Sequence, residues 1–283
     1  MAKGDHPFYK KYPGLHKPVG GYAGGSCLEG HVGFYEQQNS CSYRWQGLAK
    51  ANESPGKEIY NSHHNPDCHL GASGHGWAST ARLAQGKSGE LVGTFETKTF
   101  KNKKTGTETE KQRILAKNFT TGFAPYSNQV HHVLPSGVLR ICISDLAKVA
   151  PTIQDLICKG LLTEKYNINH KDNMIILPVK WSDACKIGLP THQGSHPSYS
   201  ASIKSATADA MSPYEKIAEQ IADPEKKDHD APAPEDLKTA LEDISNKMYD
   251  SIIALQPIIR GRCKSEKMSV NELPTAVFAC LAV

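Results

Sequence analysis

His131 and His132 stand side by side just ahead of a short apolar run, Val133-Leu134-Pro135. About sixty residues on come His192 and His196, with three residues between them. Between the two pairs lies Asn169-His170-Lys171-Asp172-Asn173, which delivers an asparagine to the start of a second apolar run, Met174-Ile175-Ile176-Leu177-Pro178. Imidazoles and an asparagine in this order are suited to metal-assisted hydrolysis of a phosphodiester. Water must attack in line while negative charge builds on the phosphoryl oxygens and the leaving oxygen, and a divalent cation neutralises that charge and orients the phosphate. Neutral imidazoles suit zinc, nickel or manganese and, less comfortably, magnesium, for which an all-oxygen site is the better match. An imidazole with an ordinary pKa of about 6.5 is also close to the optimum for a general base near pH 7, where such a base contributes on the order of 10²–10⁴-fold.

Three strings carry a family resemblance: Val130-His131-His132-Val133-Leu134-Pro135, then Asn173-Met174-Ile175-Ile176-Leu177-Pro178, then His192-Gln193-Gly194-Ser195-His196-Pro197-Ser198-Tyr199. Together they resemble the AHH group of the HNH/endonuclease VII superfamily of bacterial toxin nucleases, over roughly residues 125 to 205. The resemblance implies an α+β chain with a ββα-metal (His-Me finger) core and one divalent ion, Zn, Mg, Mn or Ni. It also implies a nuclease acting as an antibacterial toxin, carried by a secretion system such as type VI, with an immunity protein that masks its cleft; it does not resolve DNA from RNA, and a DNA endonuclease is the leading expectation. Two other readings share the same residues. One is an RNase toxin on the same site; the other is a non-catalytic binding module in which histidines close a four-ligand structural zinc site.

Roles follow from the resemblance and from strand geometry. Successive strand residues face opposite ways, so adjacent histidines divide their labour only where the strand bends or ends. His131 is expected to turn to the metal and His132 to the attacking water as general base. His192 and His196 complete the ligand set. In the resembled enzymes an asparagine near the second strand orients the base or touches the metal shell, and Asn173 matches that place, with Asn169 and His170 as competitors. Pro197 suits the first position of a helix and disfavours helical geometry at His196, so His196 is expected at the N-cap with His192 on the incoming loop. Tyr199, near the first turn, is expected to reach a phosphate or the metal shell.

Other histidines and cysteines weigh less. Thirteen histidines in 283 residues make chance pairs frequent. His63-His64 is such a pair, in a loop-like stretch with no following strand, and a zinc site there with Cys68, His69 and His75 is the weaker reading. The eight cysteines form no Cys-x-x-Cys pair, which argues against a zinc ribbon. Cys142 and Cys158 fall in apolar helical patterns and read as small core residues.

The elements that must position the site are also patterned. Residues 90–100 alternate as a strand, and Lys104-Thr105-Gly106-Thr107 turns the chain before Arg113-Ile114-Leu115, which reads as a β-hairpin. After Pro135, the three- and four-residue steps of Val138, Leu139, Cys142, Leu146 and Val149 predict a helix capped by Ser136. Pro151 opens another, with Ile153, Leu156 and Ile157 inward and Gly160 at its end. Residues 174–179 read as a short buried strand, so a helical insertion fills the gap between the two strands of the metal unit. The chain is accordingly divided into an irregular adaptor at 1–89, the nuclease domain at 90–221, a Pro-rich charged linker at 222–236 and a C-terminal helical segment at 237–283. In the last, Leu237, Leu241, Ile244, Met248, Ile252 and Leu255 form one apolar stripe.

A net charge of +4 is too mild to make the whole chain a polyanion binder. Lys101, Lys103, Lys104, Lys111, Arg113 and Lys117 concentrate positive charge just ahead of the histidine pair, as a phosphate-tracking patch or a solvated hairpin tip. No segment approaches the roughly 20 apolar residues needed to span a bilayer, and the first residues lack a Sec signal. The expectation is a protein made in the bacterial cytoplasm, exported without such a signal and acting in the target-cell cytoplasm, with no membrane partner.

Overall fold

The computed structural model describes residues 11–12, 14–15, 25–30, 40–61, 95–102, 105–114, 126–192, 194, 196–223, 225, 231–263, 267–273 and 277–278. The His63-His64 region and Lys103, Lys104 and Lys117 lie outside them. Among the described residues the elements are α1 (Tyr43–Ala51), α2 (Gly56–Asn61), β1 (Phe95–Lys101), β2 (Glu108–Ile114), β3 (Asn128–His132), α3 (Ser136–Ala147), α4 (Pro151–Thr163), a 3-10 turn (Lys171–Asn173), β4 (Met174–Pro178), α5 (Trp181–Ile187), α6 (Pro197–Ala222), α7 (Pro234–Ala254), α8 (Gln256–Gly261) and a 3-10 turn (Val270–Glu272). This is a mixed helix and strand architecture in which helices predominate.

Among the described residues two separate antiparallel pairs are formed. β1 and β2 make the expected hairpin, in register from Phe95 opposite Ile114 to Lys101 opposite Glu108. Its turn is closed by Asn102 N–H donating to the Thr107 carbonyl at 2.9 Å, with Gly106 at a positive φ of 70° that a side chain would oppose. β3 and β4 form the second pair, with His131 opposite Ile175 and His132 opposite Met174. All five residues of β4 are buried, as expected of an apolar run covered on both faces. Each such Ile or Leu contributes about 1.5–3 kcal/mol by burial.

The two helices between these strands follow the predicted faces with two corrections. In α3, Val138, Leu139, Cys142, Ile143 and Leu146 are buried. The helix stops at Ala147 with Pro135 at its N-cap, so Val149 swings out to 51% exposure instead of continuing the stripe. In α4, Ile153 and Ile157 are fully buried whereas Leu156 is 36% exposed. That helix runs through Gly160 to Thr163 and buries Leu161 and Leu162 as well. Gly160 serves a close approach rather than a helix end, because a Cβ there would lie 2.9 Å from Pro234.

Pro234 opens α7, whose stripe of Leu237, Leu241, Ile244, Met248 and Ile252 is buried, with Leu255 just beyond it. These residues belong to the same continuous core as Val133, Leu134, Ile153, Ile176 and Ile203. The stretch 222–236 therefore joins two helices of one core, and the C-terminal segment is integral to the body that carries the histidines. Among the described residues no helix is long and apolar enough to cross a membrane.

Candidate metal centre and its neighbouring base

β3 ends at His132, where the chain bends, and its last two side chains diverge. His131, 5% exposed, faces the loop that precedes α6. There its Nδ1 lies 3.1 Å from His192 Nε2, and His192 Nε2 lies 2.9 Å from His196 Nε2. One nitrogen from each of the three rings falls within 4.8 Å of the others. His192 is held through its backbone, whose N–H donates to the Pro178 carbonyl at the end of β4 at 2.8 Å. His196 occupies the N-cap position of α6 and Pro197 its first turn, as the sequence predicted.

Burial explains the protonation of this trio. It holds His131 well below the ordinary histidine range, with the neighbouring His192, His196 and His132 adding to the effect. Burial likewise pushes His192 down to about 4, with His196 second, and lowers His196. The rings are therefore neutral near pH 7, and each has one nitrogen within reach of the other two that can offer a lone pair to a shared ion. Their outward nitrogens, His131 Nε2, His192 Nδ1 and His196 Nδ1, are buried without a hydrogen-bond partner among the described residues. Three neutral nitrogens crowded together gain little from one another, since at most two hydrogens can be shared among them. They fit a borderline divalent ion such as zinc, nickel or manganese. Among the described residues, an ion there would have three protein ligands.

His132 turns the other way. Its Nε2 is 3.0 Å from Asn169 Oδ1, and its ring lies against Tyr43 at the start of α1, with centroids 5.1 Å apart. The orientation of the Asn169 amide is set by its own Nδ2, which donates to the Glu29 carbonyl at 2.7 Å. Oδ1 must therefore be the atom presented to His132, so Nε2 carries the hydrogen and Nδ1 keeps a lone pair. Burial lowers the His132 pKa, and the Asn169 hydrogen bond partly offsets this.

Two expectations need correction. Asn173, not Asn169, was expected to orient the base. Asn173 is instead consumed by the backbone: Oδ1 accepts from Leu134 N–H at 2.6 Å, and Nδ2 donates to the Leu134 and Ile168 carbonyls at 2.9 and 2.8 Å. Its placement in the 3-10 turn directs the side chain back across the end of β3. Tyr199 was expected to reach a phosphate or the metal shell. It is fully buried; its hydroxyl donates to the Val133 carbonyl, and its ring braces His131 edge to face at 5.1 Å. His170 lies beside Asp172, Nδ1 to carboxylate 3.2 Å, rather than His132.

Among the expected phosphate-binding residues, Lys101 is exposed at the end of β1, 3.9 Å from the equally exposed Glu108. Lys111 and Arg113 lie on β2 opposite Lys98 and Glu96. The residues that sequence reasoning missed are Glu29, Thr191 and Asn271, which act through backbone atoms or from far along the chain. Cys185 and Cys263 are joined as a disulfide, whereas Cys142 and Cys158 are buried as expected.

Residues 115–248, a little under half of the chain, match the model of AHH, described as a nuclease family of the HNH/ENDO VII superfamily with conserved AHH. No curated protein matches the chain. No solved structure matches it either. The one adjacent histidine pair in the matched stretch follows Val130 rather than an alanine. Gly47 of α1 makes the room, since a Cβ there would lie 2.6 Å from Val130 Cγ1. Over residues 115–248, which hold the paired histidines at the end of β3 and the third and fourth at the head of α6, the chain is similar to the AHH nuclease family of the HNH/ENDO VII superfamily.

Proposed function

We propose that the protein is a metal-dependent endonuclease that hydrolyses DNA phosphodiesters as a toxin against competing bacteria. His131, His192 and His196 would hold one divalent ion, which when bound supplies Lewis-acid stabilisation of the charge on the phosphate. His132 accepts the proton of the attacking water at Nδ1. Asn169 holds the opposite nitrogen, so the ring keeps both its tautomer and its direction during the transfer. The basic residues Lys101, Lys103, Lys104, Lys111, Arg113 and Lys117 are proposed to track the substrate backbone, and an immunity protein to cover the site in the producing cell. A component of the secretion apparatus is the further proposed partner.

The observation that carries this reading is the ligand count. Among the described residues three imidazoles converge, and the fourth nearby histidine points elsewhere with its own orienting partner. Structural zinc sites close with four protein ligands, whereas catalytic sites keep a position for water or substrate. That favours the enzyme over the zinc-stabilised module. Substrate class is tested by incubating the full chain with supercoiled plasmid and with tRNA in parallel, each with Mg²⁺, Mn²⁺, Ni²⁺ or Zn²⁺. Plasmid nicking with intact tRNA is expected; the converse result would move the substrate to RNA. Expression in a bacterial cytosol should fragment the chromosome, and co-expression of the neighbouring reading frame should prevent it; growth without fragmentation contradicts the toxin role.

A further inference from the structure

A helix begins with N–H groups that have no partner within the helix. The N-cap side chain ordinarily accepts one of them. In α6 the N-cap is His196, with φ −125° and ψ 66°, and its side chain makes no capping hydrogen bond. The imidazole is turned to His192 instead. One side chain cannot serve both the ion and the helix. Pro197 follows and has no N–H to satisfy. Ser198 has one, and its acceptor is Asn271 Oδ1 at 2.8 Å, 73 residues further along the chain.

Asn271 is itself held in place. It lies in the Val270–Glu272 turn, which is closed by a capping box: the Ser269 side chain accepts from Glu272 N–H, and Ser269 N–H donates to Glu272 Oε2 at 2.9 Å. The flanking backbone grips the residue before His192. Thr191 N–H donates to the Met268 carbonyl at 3.0 Å, and Val270 N–H donates to the Thr191 carbonyl at 2.9 Å. One short turn thus holds the chain immediately before one ligand and immediately after the other. It lies beyond residue 248, where the family match ends.

We propose that Asn271 is a positioning residue for the metal centre: it caps α6 in place of His196 and so leaves the His196 imidazole to the ion. This rests on the metal reading made under Proposed function. Without Asn271, the Ser198 amide lacks its acceptor, and the first turn of α6 relaxes by fraying or by drawing the His196 ring back to its own helix. Either change withdraws a ligand.

The test is Co²⁺ titration of the full-length protein, followed by the visible ligand-field bands, with metal-free melting measured alongside. Asn271→Ala is expected to weaken Co²⁺ binding about ten-fold and to dim the bands, while Asn271→Asp, which keeps the acceptor, stays within about two-fold of wild type. Should the alanine variant fail to fold, Asn271→Gln keeps the amide but displaces its oxygen, and the same weakening is expected. A lower metal-free melting temperature with unchanged Co²⁺ affinity and spectrum would overturn the proposal, leaving Asn271 a helix cap alone. Equal losses in the alanine and aspartate variants would also overturn it. Absence of Co²⁺ binding by wild type would contradict the metal reading itself, and the role of Asn271 with it.

Discussion

Asn173 grips Leu134 by both of its backbone groups, accepting from the N–H at 2.6 Å and donating to the carbonyl at 2.9 Å. It thereby holds the chain two residues beyond the end of β3 at His132, and ties that point to Ile168 and to Ser245 of α7. Asn173→Ala would leave several buried backbone groups unpaired, each costing about 1–3 kcal/mol. The expected loss is roughly 3–5 kcal/mol, seen as a fall of about 10 °C in thermal melting. A shift of a degree or two would mean that the clamp is dispensable.

Asn169 holds the ring proposed as the base, with Oδ1 3.0 Å from His132 Nε2, while its Nδ2 ties the Glu29 carbonyl to the same point. Asn169→Ala should lower kcat about ten-fold or more with little change in KM, because the His132 ring loses its tautomer and direction but the substrate keeps its contacts. His132→Ala should cost on the order of 10²–10⁴-fold. Steady-state kinetics on an oligonucleotide duplex separates the two. An Asn169 variant altered in KM alone would place that residue in substrate binding instead.

The buried histidines predict acid sensitivity of the metal-free protein. His192 has a folded-state pKa of about 4, against an ordinary 6.5. Between those values the unfolded chain binds more protons than the folded one, so stability rises with pH across this window and gains nothing further above it. His131 and His196 shift in the same direction. Urea midpoints at pH 7.5, 6.0 and 5.0 should fall in that order, less steeply in His192→Asn. Equal midpoints would show that the rings are charged or solvated in the fold.

Cys185 of α5 and Cys263 after α8 bridge 78 residues. Gln256 and Arg260 of α8 reinforce the junction by donating to the Ile187 carbonyl at 2.7 and 3.2 Å. Replacing both cysteines by serine should remove roughly 2–4 kcal/mol. Comparing the melting temperatures of the oxidised protein and this variant checks it; identical values would place the stabilisation in packing alone.

The sequence marks the clustered histidines better than the residues that support them. The order His131, His192, His196 could be read because ligand types and spacing survive as a string, and the apolar stripe of α7 because its period repeats over five turns. The base's partner could not be read, since Asn169 and Asn173 are four residues apart and only the 3-10 turn between them decides which side chain points at His132. The face of α3 was read past its end because helix ends depend on where backbone carbonyls find partners, as Val149 shows, whereas Leu156 lies inside α4 at the edge of the buried stripe of Ile153, Ile157 and Leu161. Asn271 carries no local signal. Its partner is a backbone amide brought close by the packing of the C-terminal turn on the Thr191 loop.

The central claim is that three histidines hold an ion beside a fourth that acts as base. Its most direct test is cleavage of supercoiled plasmid by wild type, His131→Ala and His132→Ala, each stripped with chelator and then resupplied with Mn²⁺ or Zn²⁺, with bound metal measured on the same samples. Wild type should lose activity on stripping and regain it. His131→Ala should lose both metal and cleavage, and His132→Ala should lose cleavage while retaining metal. Full cleavage by stripped wild type, or by His132→Ala, would contradict the account.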